Sequence, residues 1–346
     1  MRQGRVLMIV ALAGLYACTP AQTQNPSGGT GDQPPTQRQD PLAASSLRER
    51  ALAIVEESSK SEDAQIRANA AEAAGFAAAR LEGAIERALN DRHWAVRSVA
   101  LMTVGRARLA RFSSYATAAG GETSGHVRAS AIYALTRTGS NADQSPLAGI
   151  LLRDPSLEVR SHAAFVLGEI GNRTALPLLR DALRDPMRGV GGERLRLFHL
   201  QCAEAMVKLG DDSQRGTLRA ALYPSNPEDL EAAALAVQIM GQVRDREAID
   251  QLIYLSGPKG AAGSPMPAEV RLGIAAALAR MGVGQGGFIA DEYASSTNPT
   301  IRTQVAYVYG EIASPEAMGK LGAMLADPSA AVRISAAASV LRASSR

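Results

Sequence analysis

One phrase recurs along this chain of 346 residues and restricts the fold more than any other feature. It reads AVRSVAL at 95–101, HVRASAI at 126–132, EVRSHAA at 158–164, EVRLGIA at 269–275, TIRTQVA at 300–306 and AVRISAA at 331–337. With the arginine as position zero, the column runs Arg67, Arg97, Arg128, Arg160, His199, Leu230, Arg271, Arg302 and Arg333, about 31 residues apart except across two insertions. Apolar residues fill −1, +3, +4, +7 and +10, the spacing of one helix face and not of a strand. A shorter amphipathic segment precedes each phrase, as in ALPLLRDALRD at 175–185 and PEAMGKLGAMLAD at 315–327.

Turn signals separate the units. DPS stands at 154–156 and 327–329, DP at 185–186 and NP at 298–299. Gly139, Gly171, Gly210, Gly241 and Gly282 fall at +11, where a helix is expected to end on a left-handed residue. Two helices per unit, repeated about nine times over 42–346, predict an all-α solenoid. Aromatics make up only 4% of the chain, so small side chains and closely packed helices are expected in its core.

The form V-R-x-x-A-A-x-A-L-G-x-I-G, closest in VRSHAAFVLGEIG at 159–171, resembles HEAT-like repeats of the bilin-lyase type. The resemblance spans nearly the whole chain after residue 41 and implies the solenoid fold. It implies little about activity, because such arrays include scaffolds, adaptors, inhibitors and some enzymes.

The N-terminus reads as an address. Basic MRQGR, apolar VLMIVALAGLYA and LYAC at 15–18 make a signal peptide over 1–17 with Cys18 at its end. The segment resembles the lipobox of bacterial lipoproteins, which implies lipid on Cys18; an ordinary signal peptide or an uncleaved anchor is the alternative. Residues 18–41 are rich in Pro, Gln, Thr, Gly and Ser and read as a disordered tether. As a flexible coil of about 22 residues it would span roughly 25 Å. The expected location is the bacterial cell envelope, with inner membrane, outer membrane and cell surface left open. Cys202 falls in an apolar column and reads as a small buried hydrophobe.

Charge gives little direction. Lys and Arg total 37 and Asp and Glu 34, so a net charge of +3 does not argue for nucleic acid. The recurring arginines, Arg67, Arg97, Arg128, Arg160, Arg271, Arg302 and Arg333, are read as structural. Asp91, Asp154 and Asp327 stand six residues before three of them, and a turn-to-helix Asp–Arg ladder is expected; a row gripping phosphates is the alternative.

No motif for chemistry survives inspection. GVGQGG at 282–287 matches G-x-G-x-x-G but follows a helix, and GPKGAAGS at 257–264 lacks the spacing of a phosphate-binding loop. The four histidines form no H-E-x-x-H, H-x-H or His-Glu pair, unlike the HEAT-repeat di-iron hydroxylases, so neither metal nor cofactor is expected. No paired-carboxylate set or Ser-His-Asp set can be selected.

What remains is surface. Position +5 reads Glu72, Met102, Tyr133, Phe165, Glu204, Leu235, Ala276, Tyr307 and Ala338. Position +9 offers Arg106, Arg137, Glu169, Lys208, Ile239, Arg280, Glu311 and Arg342. Met102, Tyr133 and Phe165, rimmed by Arg106, Arg137, His162 and Glu169, form the candidate partner-binding stripe; packing between helices is the competing role. The insertions at 185–197 and 256–269 are further candidates for specificity. The function expected is a non-catalytic protein–protein scaffold or adaptor, lipid-anchored at the envelope. An enzyme or enzyme subunit acting on an exported ligand in the concave groove is the alternative, and a convergent polar pocket there would favour it.

Overall fold

The computed structural model describes residues 41–345 apart from 188, 225–228 and 258–264. The signal peptide, Cys18 and all but the last residue of the tether lie outside this range, as do residues 258–264 of the second insertion.

Among the described residues, eighteen α-helices alternate between two layers. The outer helices are α1 (Pro41–Ser58), α3 (Glu82–Leu89), α5 (Ser113–Ala119), α7 (Pro146–Arg153), α9 (Leu176–Arg184), α11 (Arg215–Ala220), α13 (Ile249–Ser256), α15 (Gly287–Tyr293) and α17 (Pro315–Met324). The inner helices carry the repeated phrase. They are α2 (Ala64–Ala74), α4 (Trp94–Arg106), α6 (Gly125–Arg137), α8 (Leu157–Ile170), α10 (Gly192–Lys208), α12 (Leu230–Gln242), α14 (Ala268–Arg280), α16 (Pro299–Ile312) and α18 (Ala330–Ala343). No strand occurs among the described residues.

Each inner helix packs on the next, and the last, α18, packs on both α1 and α2. The nine units therefore close into a ring instead of ending as an open arc. One apolar cluster spans the closure, joining Ala51 and Val55 of α1 to Ala336, Val340 and Leu341 of α18. Both ends of the array are thereby covered by this chain itself, whereas an open array needs polar caps at its ends.

The arginine column works as a two-way tie. Arg67 binds both carboxylate oxygens of Asp91, in the next turn, at 2.6 and 2.8 Å. Arg97 then donates to the Asp91 carbonyl, six residues before it, at 2.7 Å. The same two contacts recur at Asp327, whose carboxylate accepts from Arg302 and whose carbonyl accepts from Arg333. Arg160 reaches Asp185, Arg271 reaches Glu292 and Arg97 reaches Glu122, while Arg128 donates to the carbonyls of Glu122 and Thr123. An Asp–Arg tie occurs at Asp91 and Asp327 but not at Asp154, whose carboxylate accepts from the Ser156 amide while Arg160 takes the Leu151 carbonyl. The pairing also differs from the expected one. The carboxylate partner belongs to the arginine of the preceding unit, and the arginine six residues on takes the main-chain oxygen.

Position +11 is left-handed as expected at Gly139, Gly171, Gly210 and Gly282. Gly241 is different, because it lies inside α12 as a buried helical residue. In that unit Arg244 holds the left-handed turn, with φ 49°, as Arg108 and Ala313 do at +11 of theirs. The register there is consequently three residues later than the sequence suggested, and Ala233 occupies position zero. The inward positions +5 and +9 become Gln238 and Gln242, while Leu235 and Ile239 are buried.

Candidate functional site

Ring closure turns the concave face into a lumen, and position +9 supplies its charged lining. Arg106, Arg137, Arg280 and Arg342 come from the last turns of α4, α6, α14 and α18, where the partial negative charge of a helix C-terminus favours cations. Glu311 of α16 has a fully buried side chain and lies between two of them, 3.1 Å from Arg280 and 2.8 Å from Arg342. Both guanidinium groups also stand over the ring of Tyr307, at 5.5 and 4.6 Å from its centroid. Burial raises the Tyr307 hydroxyl to about 12.

On α2, the inner helix next to α18, Glu72 accepts from Arg106 at 3.2 Å. Burial is the larger influence on this carboxyl and raises it to about 7 against the pull of Arg106. On the remaining arc, Lys208 bridges Glu169 and Glu204 at 2.6 and 2.5 Å and sits 4.9 Å from the Phe165 ring centre. Burial disfavours charge on Lys208, yet the two glutamates outweigh it and raise its pKa.

A cavity of about 510 Å³ opens at the C-terminal ends of the inner helices, lined by residues of α2, α4, α6, α12, α14, α16 and α18. Helices α6 and α12 are not neighbours in the ring, so this cavity crosses the lumen. A second cavity, of about 220 Å³, is nearer the N-terminal ends of α14, α16 and α18 and is lined by Gln238, Gln304, Tyr307 and a mostly apolar wall.

The expected partner-binding stripe is not a surface. Met102, Tyr133 and Phe165 are 1%, 1% and 5% exposed and belong to one core cluster. Tyr133 packs over Gly105 of the preceding inner helix, where a β-carbon would stand 2.5 Å from its ring. The stripe packs helix against helix because small residues bring the inner helices too close for these side chains to reach the lumen. Its rim divides. Arg106 and Arg137 line the large cavity, Glu169 pairs with Lys208, and His162 turns to the neighbouring helix.

His162 completes a chain that spacing alone did not reveal. Ser98 Oγ lies 2.8 Å from Ser130 Oγ, and Ser130 Oγ lies 2.9 Å from His162 Nε2. Burial and the adjacent His126 lower the imidazole to about 3, so it is neutral. Ser130 is 0% exposed, so no substrate can meet its hydroxyl, and the chain serves as a hydrogen-bonded link between α4, α6 and α8. Cys202 is likewise fully buried, and burial raises its thiol to about 12. No group of three metal-ligating side chains occurs among the described residues, and no described helix is long and apolar enough to cross a membrane.

Residues 145–193 match the family model for HEAT repeats. Comparison with curated proteins gives no match. Among solved structures, the chain is similar to the complex of CpcE and CpcF of phycocyanin lyase from Nostoc sp. PCC7120, at 18% identity over 64% of this chain and 91% of that one, with a TM-score of 0.40. It is also similar to human deoxyhypusine hydroxylase in complex with glycerol, at 17% identity over 88% and 99%, TM-score 0.35. An engineered protein aligns at 16% identity over 88% and 94%, TM-score 0.34. These scores, all below 0.5, transfer neither activity nor site to this chain.

Proposed function

We propose that this chain is a non-catalytic protein-interaction scaffold, held at the bacterial cell envelope by lipid on Cys18 and engaging its partner through the outer face of the ring. The observation that carries this reading is where large apolar side chains remain exposed. Tyr223 is 42% exposed, Ile253 40%, Tyr254 59% and Phe288 61%. All four belong to the outer layer between α11 and α15, one third of the circuit. Exposed aromatics at one arc favour a partner that presents an apolar face.

The test is photo-crosslinking in the native cell, with probes at Tyr254 and Phe288 and a control probe at Arg184, whose side chain is 76% exposed. One protein captured by both probes and missed by the control supports the scaffold; equal capture at all three positions sinks it. Lipid attachment is checked separately. Cys18→Ala should abolish incorporation of a labelled fatty acid, and persistence of the label in that variant contradicts the anchor.

A second reading draws on the enclosed polar cavity, which suits an enzyme or enzyme subunit holding an exported ligand. The described residues supply that cavity with charges but with no nucleophile beside a base, so ligand binding is the part of this reading that the geometry supports.

A further inference from the structure

We propose that the large cavity in the lumen is a binding site for a small, multiply charged anion, a phosphate or carboxylate compound. Its lining carries five arginines, Arg106, Arg137, Arg244, Arg280 and Arg342, against two glutamates, Glu72 and Glu311. The glutamates are already engaged, Glu72 by Arg106 and Glu311 by Arg280 and Arg342. Arg137 and Arg244 line the same space with no carboxylate partner among the described residues. Arg137 Nε is buried and has no hydrogen-bond acceptor.

A buried donor without an acceptor is destabilising, and more so when the group is charged. The helix C-termini account for arginine being favoured at these positions, but they provide no acceptor for Arg137 Nε. An anion would. The planar guanidinium matches a carboxylate or phosphate with two parallel N–H donors, and attraction is stronger in an enclosed site than in water. The cavity's size is that of pockets for small metabolites. The wall facing the anion is built from both halves of the ring, α2 to α6 and α12 to α18, so the bound anion would also tie the halves together.

The experiment is calorimetric titration of the full-length, detergent-solubilised protein with inorganic phosphate, pyrophosphate and citrate in turn, at matched ionic strength. Arg137→Gln and Arg244→Gln are the test variants, and Arg92→Gln, at an exposed position in the turn between α3 and α4, is the control. The proposal expects at least one of the three anions to bind at millimolar concentration or below. It expects each test variant to weaken that binding about tenfold, ~1.4 kcal/mol, and the control to leave it unchanged. Phosphate and pyrophosphate binding without citrate indicates a phosphorylated ligand, and the reverse indicates a polycarboxylate. Melting curves identify any variant that does not fold, and the other test variant then decides. No heat with any of the three, or wild-type affinity in the folded variants, overturns the proposal. Because the test reads the lumen alone, its result is independent of the crosslinking at the outer face.

Discussion

Arg50 donates from Nη2 to the main-chain carbonyl of Gly322 at 3.2 Å, a bond between the first unit and the last. A β-carbon on Gly322 would stand 3.3 Å from Leu47 Cδ1, so α1 and α17 touch directly beside it. The seam thus has a polar tie and an apolar contact in addition to the cluster shared with α18. Closing the ring makes the concave face an interior, and the arginine-lined cavity lies there.

Closure predicts an intramolecular cross-link. In the double variant Leu47→Cys, Gly322→Cys, a short bismaleimide should join the two positions within one chain and speed its migration on a denaturing gel. With Cys18 replaced by alanine throughout, neither single variant should do so, since the remaining native Cys202 is buried with its thiol raised to about 12. An open arc would give only cross-links between chains, or none.

The arginine tie predicts a large cost at Asp91. Its carboxylate and the Arg67 side chain are each only 9% exposed, and the same carboxylate accepts from the His93 amide in the turn before the next helix at 2.8 Å. Asp91→Ala leaves Arg67 buried without its counter-charge, so a loss of about 3–5 kcal/mol is expected in urea unfolding. Burial pushes the Asp91 carboxyl up, but Arg67 and the His93 amide outweigh it and hold the group below its usual 3.8. The sign follows from that depression. This contribution is present above pH 3.8 and is lost as pH falls through the lower folded value, a loss that Asp91→Ala should not show. A cost below about 1 kcal/mol, the range of exposed pairs, would refute the shared tie.

Close approach of the inner helices predicts coupling between Gly105 and Tyr133. The β-carbon of Gly105→Ala would lie 2.5 Å from the Tyr133 ring and 3.1 Å from Ala134 Cα. Overpacking of this kind costs about 1–3 kcal/mol. Most of that cost should vanish in a Tyr133→Ala background, because the ring is the nearer obstacle. Additive effects in the double variant would show that the two helices do not meet here.

The fold was legible because its signal is local and repeated. Apolar columns and +11 turn residues report helix faces and ends one unit at a time, and Gly139 and Gly171 behave as their positions imply. Closure was not legible, because the surface of Val55 that meets α18 looks like any other apolar helix face until the ends are placed together. The register of α12 was misread for a related reason. Position zero has no arginine there, and Gly241, placed at a helix end by its spacing, is instead a close-packing residue whose added β-carbon would stand 2.8 Å from Ala277 Cα. The candidate site was half legible. Arg106 and Arg137 were found from their phase on the helix, but an apolar side chain at the same phase, such as Tyr133, reads identically whether it faces a lumen or a neighbouring helix. Arg244, in a turn, gave no periodic signal at all.

Glu72 predicts a stability that falls with rising pH. Its carboxyl is raised from 4.5 to about 7 in the folded protein, chiefly by burial, with Arg106 opposing. A raised carboxyl means that the folded state holds the proton more tightly than the unfolded chain. Its contribution is therefore complete below about pH 4.5 and is lost as pH climbs through 7. A shift of this size corresponds to about 3 kcal/mol between those limits. Urea unfolding of the wild type and of Glu72→Gln at pH 5 and pH 8 measures it, since glutamine keeps the shape and never ionises. The wild type should lose more stability than the variant across that interval, with the variant the more stable at pH 8. Equal losses in the two proteins would mean that the 3.2 Å contact with Arg106 outweighs burial and keeps Glu72 ionised throughout.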